Sequence, residues 1–118
     1  MQRSHRLLAL AACCLFTLGS GAARAMELAT HGNTLILSGP VVGTELVLVK
    51  VAFAANPKMD LVVLRNSHGG DAWTGYRVGE FLRDAGVTTA VSGYCISSCS
   101  RMFLGGKYRL FTDDYPAD

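Results

Sequence analysis

Beyond residue 25 the apolar positions fall into short runs, separated by breaks that contain glycine, proline or asparagine. Asn33 to Ser38 carries Leu35-Ile36-Leu37 between His31-Gly32 and Gly39-Pro40, which predicts a strand closed by turns. Thr44 to Ala55 is apolar apart from Glu45 and Lys50. Its valines suit a strand, but its length favours a mostly buried helix. Asp60 to Arg65 holds Leu61-Val62-Val63-Leu64, the continuous apolar pattern of a buried parallel strand. After the loop Asn66-Ser67-His68-Gly69-Gly70, Val78, Phe81, Leu82 and Ala85 recur at helical spacing. Asp71 is a good N-cap for that helix and Gly86 a good stop. Gly75 and Gly79 share one of its faces, at a cost of about 1 kcal/mol each, which close helix-on-sheet packing would justify. Val87 to Val91 predicts a further strand, Ser98 to Gly105 a short helix and Tyr108 to Thr112 a last strand. Strands alternating with helices over short links predict an α/β fold, with a small mostly parallel sheet and right-handed crossover helices.

The first 25 residues follow another pattern. Met1 to Arg6 is basic, Leu7 to Leu18 is apolar and uncharged, and Ala23-Arg24-Ala25 is a small-x-small cleavage site. Together they predict a secretory signal peptide over residues 1–25 and a domain over residues 26–118. The apolar run is shorter than the roughly 20 residues of a membrane-spanning helix, so no stable span is expected. Leu10-Ala11-Ala12-Cys13 also matches a lipoprotein signal, which would anchor the chain by a lipid on Cys13. Either way the expected location is the periplasm or the cell exterior.

Removal of the leader changes the charge. The formal net charge of the 118-residue chain is +2; without Arg3, Arg6 and Arg24, Lys+Arg falls from 11 to 8 against 9 Asp+Glu, which leaves −1. Nothing in that balance points to nucleic acid. Two of the four cysteines, Cys95 and Cys99, remain after cleavage. Four residues apart on one turn, they lie within reach of a disulfide in an oxidising compartment. Two buried thiols are the alternative. Two cysteines without nearby histidines do not close a zinc site, and no metal or cofactor is expected.

The chemistry is concentrated in Gly93-Tyr94-Cys95-Ile96-Ser97-Ser98-Cys99, between a predicted strand and a predicted helix. A serine at such a junction can be held exposed at the mouth of a sheet, beside the free N–H groups of the helix start.

A strand ending in Asn-Ser-x-Gly-Gly, a helix with small residues, a strand, and then Gly-x-x-x-Ser at a helix start resembles the ClpP/crotonase superfamily. Within it, the chain is similar to secreted ClpP-like proteins with Cys-x-Ser-x-Cys at the elbow. The resemblance covers about Thr34 to Thr112. It implies a fragment of the ββα spiral of that superfamily, with Ser97 as nucleophile and the backbone amides of Gly70 and Ser98 as oxyanion hole. Each such donor is worth about 3 kcal/mol to an acyl-transfer transition state. Trimers or larger rings are implied as well, so a homo-oligomer is expected. A peptide or small acyl group is the implied substrate.

A serine hydroxyl also needs a base. The resemblance places a histidine further along the chain than Asp118, so the domain is expected to be partial, truncated before its base and inactive as it stands. Of the two histidines after the leader, His31 is expected on the surface before the first strand, and His68 in the oxyanion loop is a candidate surrogate base. Lys107 could serve only by folding back. Ser98 and Ser100 are alternative nucleophiles, Trp73 is expected in the core, Arg101 on a solvated helix face and Asp113-Asp114 in a turn. The expected function is an exported ClpP-like serine hydrolase, most simply a peptidase. A non-catalytic periplasmic binding or assembly module with the same fold is the alternative. A crotonase-type acyl-CoA enzyme is disfavoured by export, since coenzyme A is cytoplasmic.

Overall fold

The computed structural model describes residues 24–114. Residues 1–23, which hold most of the expected leader and Cys13, and residues 115–118 lie outside the described residues. In chain order the elements are β1 (Glu27–His31), β2 (Thr34–Ser38), α1 (Glu45–Ala55), β3 (Leu61–Ser67), α2 (Ala72–Ala85), β4 (Thr88–Cys95), α3 (Ser98–Leu104) and β5 (Arg109–Phe111). The strands form one sheet in the order β1-β2-β3-β4-β5. β1 and β2 are an antiparallel hairpin; every other pair is parallel. The fold is α/β, with a five-stranded mostly parallel sheet and three helices. Among the described residues no helix is long and apolar enough to cross a membrane.

Spatial order equal to chain order means that each crossover steps the same way across the sheet. Right-handed crossovers that step one way lay their helices on one face. The register shows which face. Leu28, Leu37, Leu64 and Val91 form one cross-strand row, and Leu35, Val62 and Thr89 the next inward row. Leu35, Leu37, Val62 and Leu64 pack with Val49 of α1, Val78 and Leu82 of α2 and Met102 of α3 in one core. Thr89 is polar but paired there: its hydroxyl donates to the Phe103 carbonyl at 2.7 Å. Ile36 and Val63 point the other way and are only half-buried, as is Leu61. The expectation of a strand buried on both faces therefore fails for β3, because the helices cover a single face.

Other differences have equally local causes. β1 was not foreseen: of its five residues only Leu28 is even half-buried, so its apolar signal is weak. His31 accordingly ends a strand rather than preceding the first one, and is exposed. The helix expected over 44–55 forms, but it is not mostly buried. Val49 is fully covered while Val47 is 66% and Val51 62% exposed, since one face alone meets the sheet and α2. Trp73 is 67% exposed rather than in the core. It stacks on Tyr76 at 5.9 Å between ring centroids, with the Arg77 guanidinium over its ring. β4 runs past the expected Val91 as far as Cys95, through a register shift against β3.

The two glycines of α2 serve α3 rather than the sheet. A Cβ on Gly75 would stand 2.6 Å from the Ser98 Cβ, and one on Gly79 2.5 Å from the Arg101 carbonyl. The backbones of the two helices therefore touch. Replacement Gly75→Ala must push α3 away, and the overpacking outweighs the helix-propensity gain, for a net loss of about 2 kcal/mol in urea unfolding.

Asp71 caps α2 as the sequence suggests. Its Oδ2 accepts from the Thr74 N–H at 2.8 Å and from the Thr74 hydroxyl at 2.6 Å. The Thr74 hydroxyl, then the Thr74 N–H, hold the Asp71 carboxyl below its ordinary value. A lowered folded-state value gives stability that is present above the unfolded-state value and is lost as pH falls through the folded one. Asp71→Asn should thus flatten the acid limb of a stability–pH curve below about pH 4, measured by urea titration at each pH.

Candidate functional site

Three loops meet beyond the carboxyl ends of β2, β3 and β4, which is where open parallel sheets bind ligands. The first contains Val41, the second runs from His68 to Asp71, and the third is the elbow from Cys95 to Ser98. Val41 donates to the Gly69 carbonyl at 2.9 Å and accepts from the Asp71 N–H at 2.8 Å, a single parallel bridge. The bridge leaves no side-chain room at Gly70, where a Cβ would run into the Val41 carbonyl. Gly69, at φ +86°, lies against the elbow: a Cβ there would stand 2.5 Å from the Ile96 carbonyl, and 2.9 Å from both the Ser97 Cβ and the Ser98 nitrogen. Glycine at both positions is required by this contact and by their positive φ.

The elbow is a turn of defined type. Ser97 has φ 57° and ψ −123°, and the Cys99 N–H bonds the Ile96 carbonyl at 3.2 Å. These are the dihedrals of the second residue of a type II′ turn, a position that glycine dominates. A non-glycine residue there costs about 1–3 kcal/mol and persists only where its surroundings fix it. The surroundings are evident. The Ile96 N–H bonds the Ser67 carbonyl at 2.9 Å, and the Ser97 carbonyl accepts from the Ser100 N–H at 2.9 Å and the Ser100 hydroxyl at 2.5 Å. Cys95 and Cys99 are joined by a disulfide across the turn. A loop this short stabilises by only about 2 kcal/mol in the chain-entropy model. The bond is compatible with an oxidising compartment.

The three serines differ in environment. The Ser97 side chain is exposed, Ser100 uses its hydroxyl on the Ser97 carbonyl, and the Ser98 hydroxyl is buried without a hydrogen-bond partner among the described residues. The amides of Gly70 and Ser98 donate to no acceptor among the described residues. An exposed hydroxyl thus stands on a strained turn, with two unpaired N–H groups in the two loops that touch at Gly69.

The candidate bases separate by position. His31 and Lys107 lie at the far end of the sheet: His31 pairs with Thr34, and the Lys107 N–H bonds the Val87 carbonyl. The elbow follows Cys95 at the other end, about 20 Å away along β4. Lys107 instead places its ammonium over the Tyr108 ring. His68 lies at the right end, but its ring packs on Tyr94 at 4.5 Å between centroids and forms no hydrogen bond among the described residues. Asp114 does more than shape a turn. It accepts from the Arg65 guanidinium at 3.0 Å, from the Ser92 hydroxyl at 3.1 Å and from the Thr112 hydroxyl. The Thr112 hydroxyl foremost holds its carboxyl below the ordinary value.

Val41, which anchors the Gly69-Gly70 loop, was not singled out by the sequence, and Tyr94, part of the elbow motif but given no role there, backs His68. A break of Gly39-Pro40 and Gly43 on either side of Val41 is the sole sign that this backbone is held in a special way. A groove of about 370 Å³ lies between α2 and α3, with Tyr76, Glu80, Arg83 and Arg101 among its walls; Ser97, Gly70 and Ser98 do not line it. No protein family, curated protein or solved structure matches this chain.

The strain at Ser97 has a measurable consequence. Ser97→Gly should raise stability by about 1 kcal/mol in urea unfolding, because glycine adopts this φ freely, while Ser97→Ala should give no such gain.

Proposed function

We propose that this chain is an exported ClpP-like serine hydrolase, most simply a peptidase, in which Ser97 is the nucleophile and the Gly70 and Ser98 amides form the oxyanion hole. The observation that carries this reading is Ser97 itself: an exposed serine kept at a backbone position where glycine would be more stable. The order of elements and the close approach of Gly69 to the elbow support a ClpP/crotonase-like fold. In the reaction the Ser97 hydroxyl attacks an acyl carbon, its proton passes to a base, and the carbonyl oxygen takes up negative charge facing the two amides. The leaving amine or alkoxide then departs with a proton, and water releases the acyl group.

No base bonds Ser97 among the described residues. The 118-residue chain is therefore expected to acylate slowly and to deacylate more slowly still. That same observation favours a second reading, a periplasmic binding or assembly module that keeps the fold without catalysis. Self-association belongs to either reading. Among the described residues β5 is an edge strand, with Leu110 and Phe111 exposed.

Acylation by p-nitrophenyl acetate, with and without added imidazole as an external base, separates the two readings. Acetylation of Ser97 in preference to Ser100, seen by peptide mass spectrometry, accelerated by imidazole and absent in Ser97→Ala, is the hydrolase outcome. The oxyanion hole alone should supply about 10³-fold over water. Acetylation of Ser97 no faster than of Ser100, at any imidazole concentration, leaves the binding module.

A further inference from the structure

Glu45 is fully buried, the one ionisable side chain in that state among the described residues. It begins α1, and its carboxylate turns back on the chain before the helix. Oε1 accepts from the Val42 N–H at 2.6 Å and from the Met26 N–H at 3.5 Å, and Oε2 accepts from the Gly43 N–H at 2.8 Å. No lysine, arginine or histidine pairs with it among the described residues. A buried carboxylate held by amides alone lacks the countercharge that such groups normally have.

The countercharge has an evident source. Met26 is 3% exposed, with its side chain in the core and its nitrogen on Glu45. It is also the residue that follows the Ala23-Arg24-Ala25 cleavage site. Hydrolysis of the Ala25–Met26 bond by a leader peptidase consumes one water. The new carboxylate stays on the leader, and Met26 keeps an amine that takes up a proton at neutral pH. An amide N–H at 3.5 Å is a weak donor; an ammonium at the same place has three protons and a full charge.

We propose that leader removal creates a buried ion pair between the α-ammonium of Met26 and Glu45, and that this pair locks the loop on which the candidate site rests. The connection is continuous. Glu45 holds the Val42 and Gly43 amides, and Val41, next in the chain, holds Gly69 and Asp71 on either side of Gly70. The processed amino terminus is thereby a structural part of the domain. The inference rests on cleavage after Ala25 and is independent of any chemistry at Ser97.

The test uses the full 118-residue chain, exported from a bacterial host and purified after processing. Intact mass should give a first residue of Met26; a different first residue overturns the proposal. The folded protein is then treated at neutral pH with N-hydroxysuccinimidyl acetate, and acetylation of the Met26 amine is followed by mass spectrometry. The amine should react at least about tenfold more slowly in the folded protein than in urea, and Glu45→Gln should restore the faster rate. Equal rates in folded and unfolded wild-type protein overturn the ion pair. Because Glu45→Gln removes a buried group and can fail to fold, a second variant keeps Glu45 and inserts one glycine between Ala25 and Met26. Displacing the ammonium in this way should lower the thermal midpoint and speed amine acetylation; an unchanged midpoint and rate also overturn the proposal.

Discussion

The peptide of Val41 is the constraint on which the site depends. One residue, bonded on both sides to the loop after β3, fixes where Gly69 and Gly70 lie. Gly69 in turn presses on the elbow, at distances that no side chain at position 69 would allow. The geometry of Ser97 is thus set from two directions. From within, the turn hydrogen bonds and the Cys95–Cys99 disulfide hold it. From without, it is met by a glycine backbone that is itself pinned to the segment after β2. Three crossover units contribute to one small region, none of it through long side chains. Such an arrangement suits a task that requires amides in fixed positions.

The regular elements were largely legible in the sequence because they rest on periodicity. The apolar run at Leu61–Leu64, the helical spacing through Val78 and Leu82, and the Asp71 cap each report a local preference that the fold keeps. β1 was illegible for the opposite reason. A strand with one half-buried residue leaves almost no trace in hydropathy, and it exists because β2 offers an edge to pair with. Coverage was the other blind spot. Valines at 47 and 51 read as core, yet burial depends on what lies across from them, and only one side of α1 has a neighbour. The same limit misplaced Trp73. Small residues at 75 and 79 announced a close approach but not its partner, which is α3.

At the site, the sequence pointed to the elbow and the Gly-Gly loop, and the disulfide between the two cysteines is present. It could not indicate the turn type, because type II′ geometry normally advertises itself by a glycine and here the position holds Ser97. Nor could it rank the histidines by reach. Sheet register does so at once, since His31 falls at the amino end of its parallel neighbours while the elbow is at their carboxyl end. Glu45 was visible as a lone acid in an apolar run, but its role is readable only where Met26, Val42 and Gly43 come together around it.

The strand order carries a kinetic consequence. Since every strand pairs with the one just before it in the chain, each parallel pairing waits for one crossover helix and for nothing beyond it. Each crossover is nonetheless a sizeable loop to close, which makes the parallel pairings slow beside the β1–β2 hairpin. A polypeptide that emerges amino end first, whether from a ribosome or a translocation pore, can add one crossover at a time to a growing edge. The hairpin of β1 and β2 offers the first template, and the elbow segment arrives after β2, β3 and their crossovers. Oxidation of its two thiols then follows the emergence of β1 to β4, the strands against which the elbow folds.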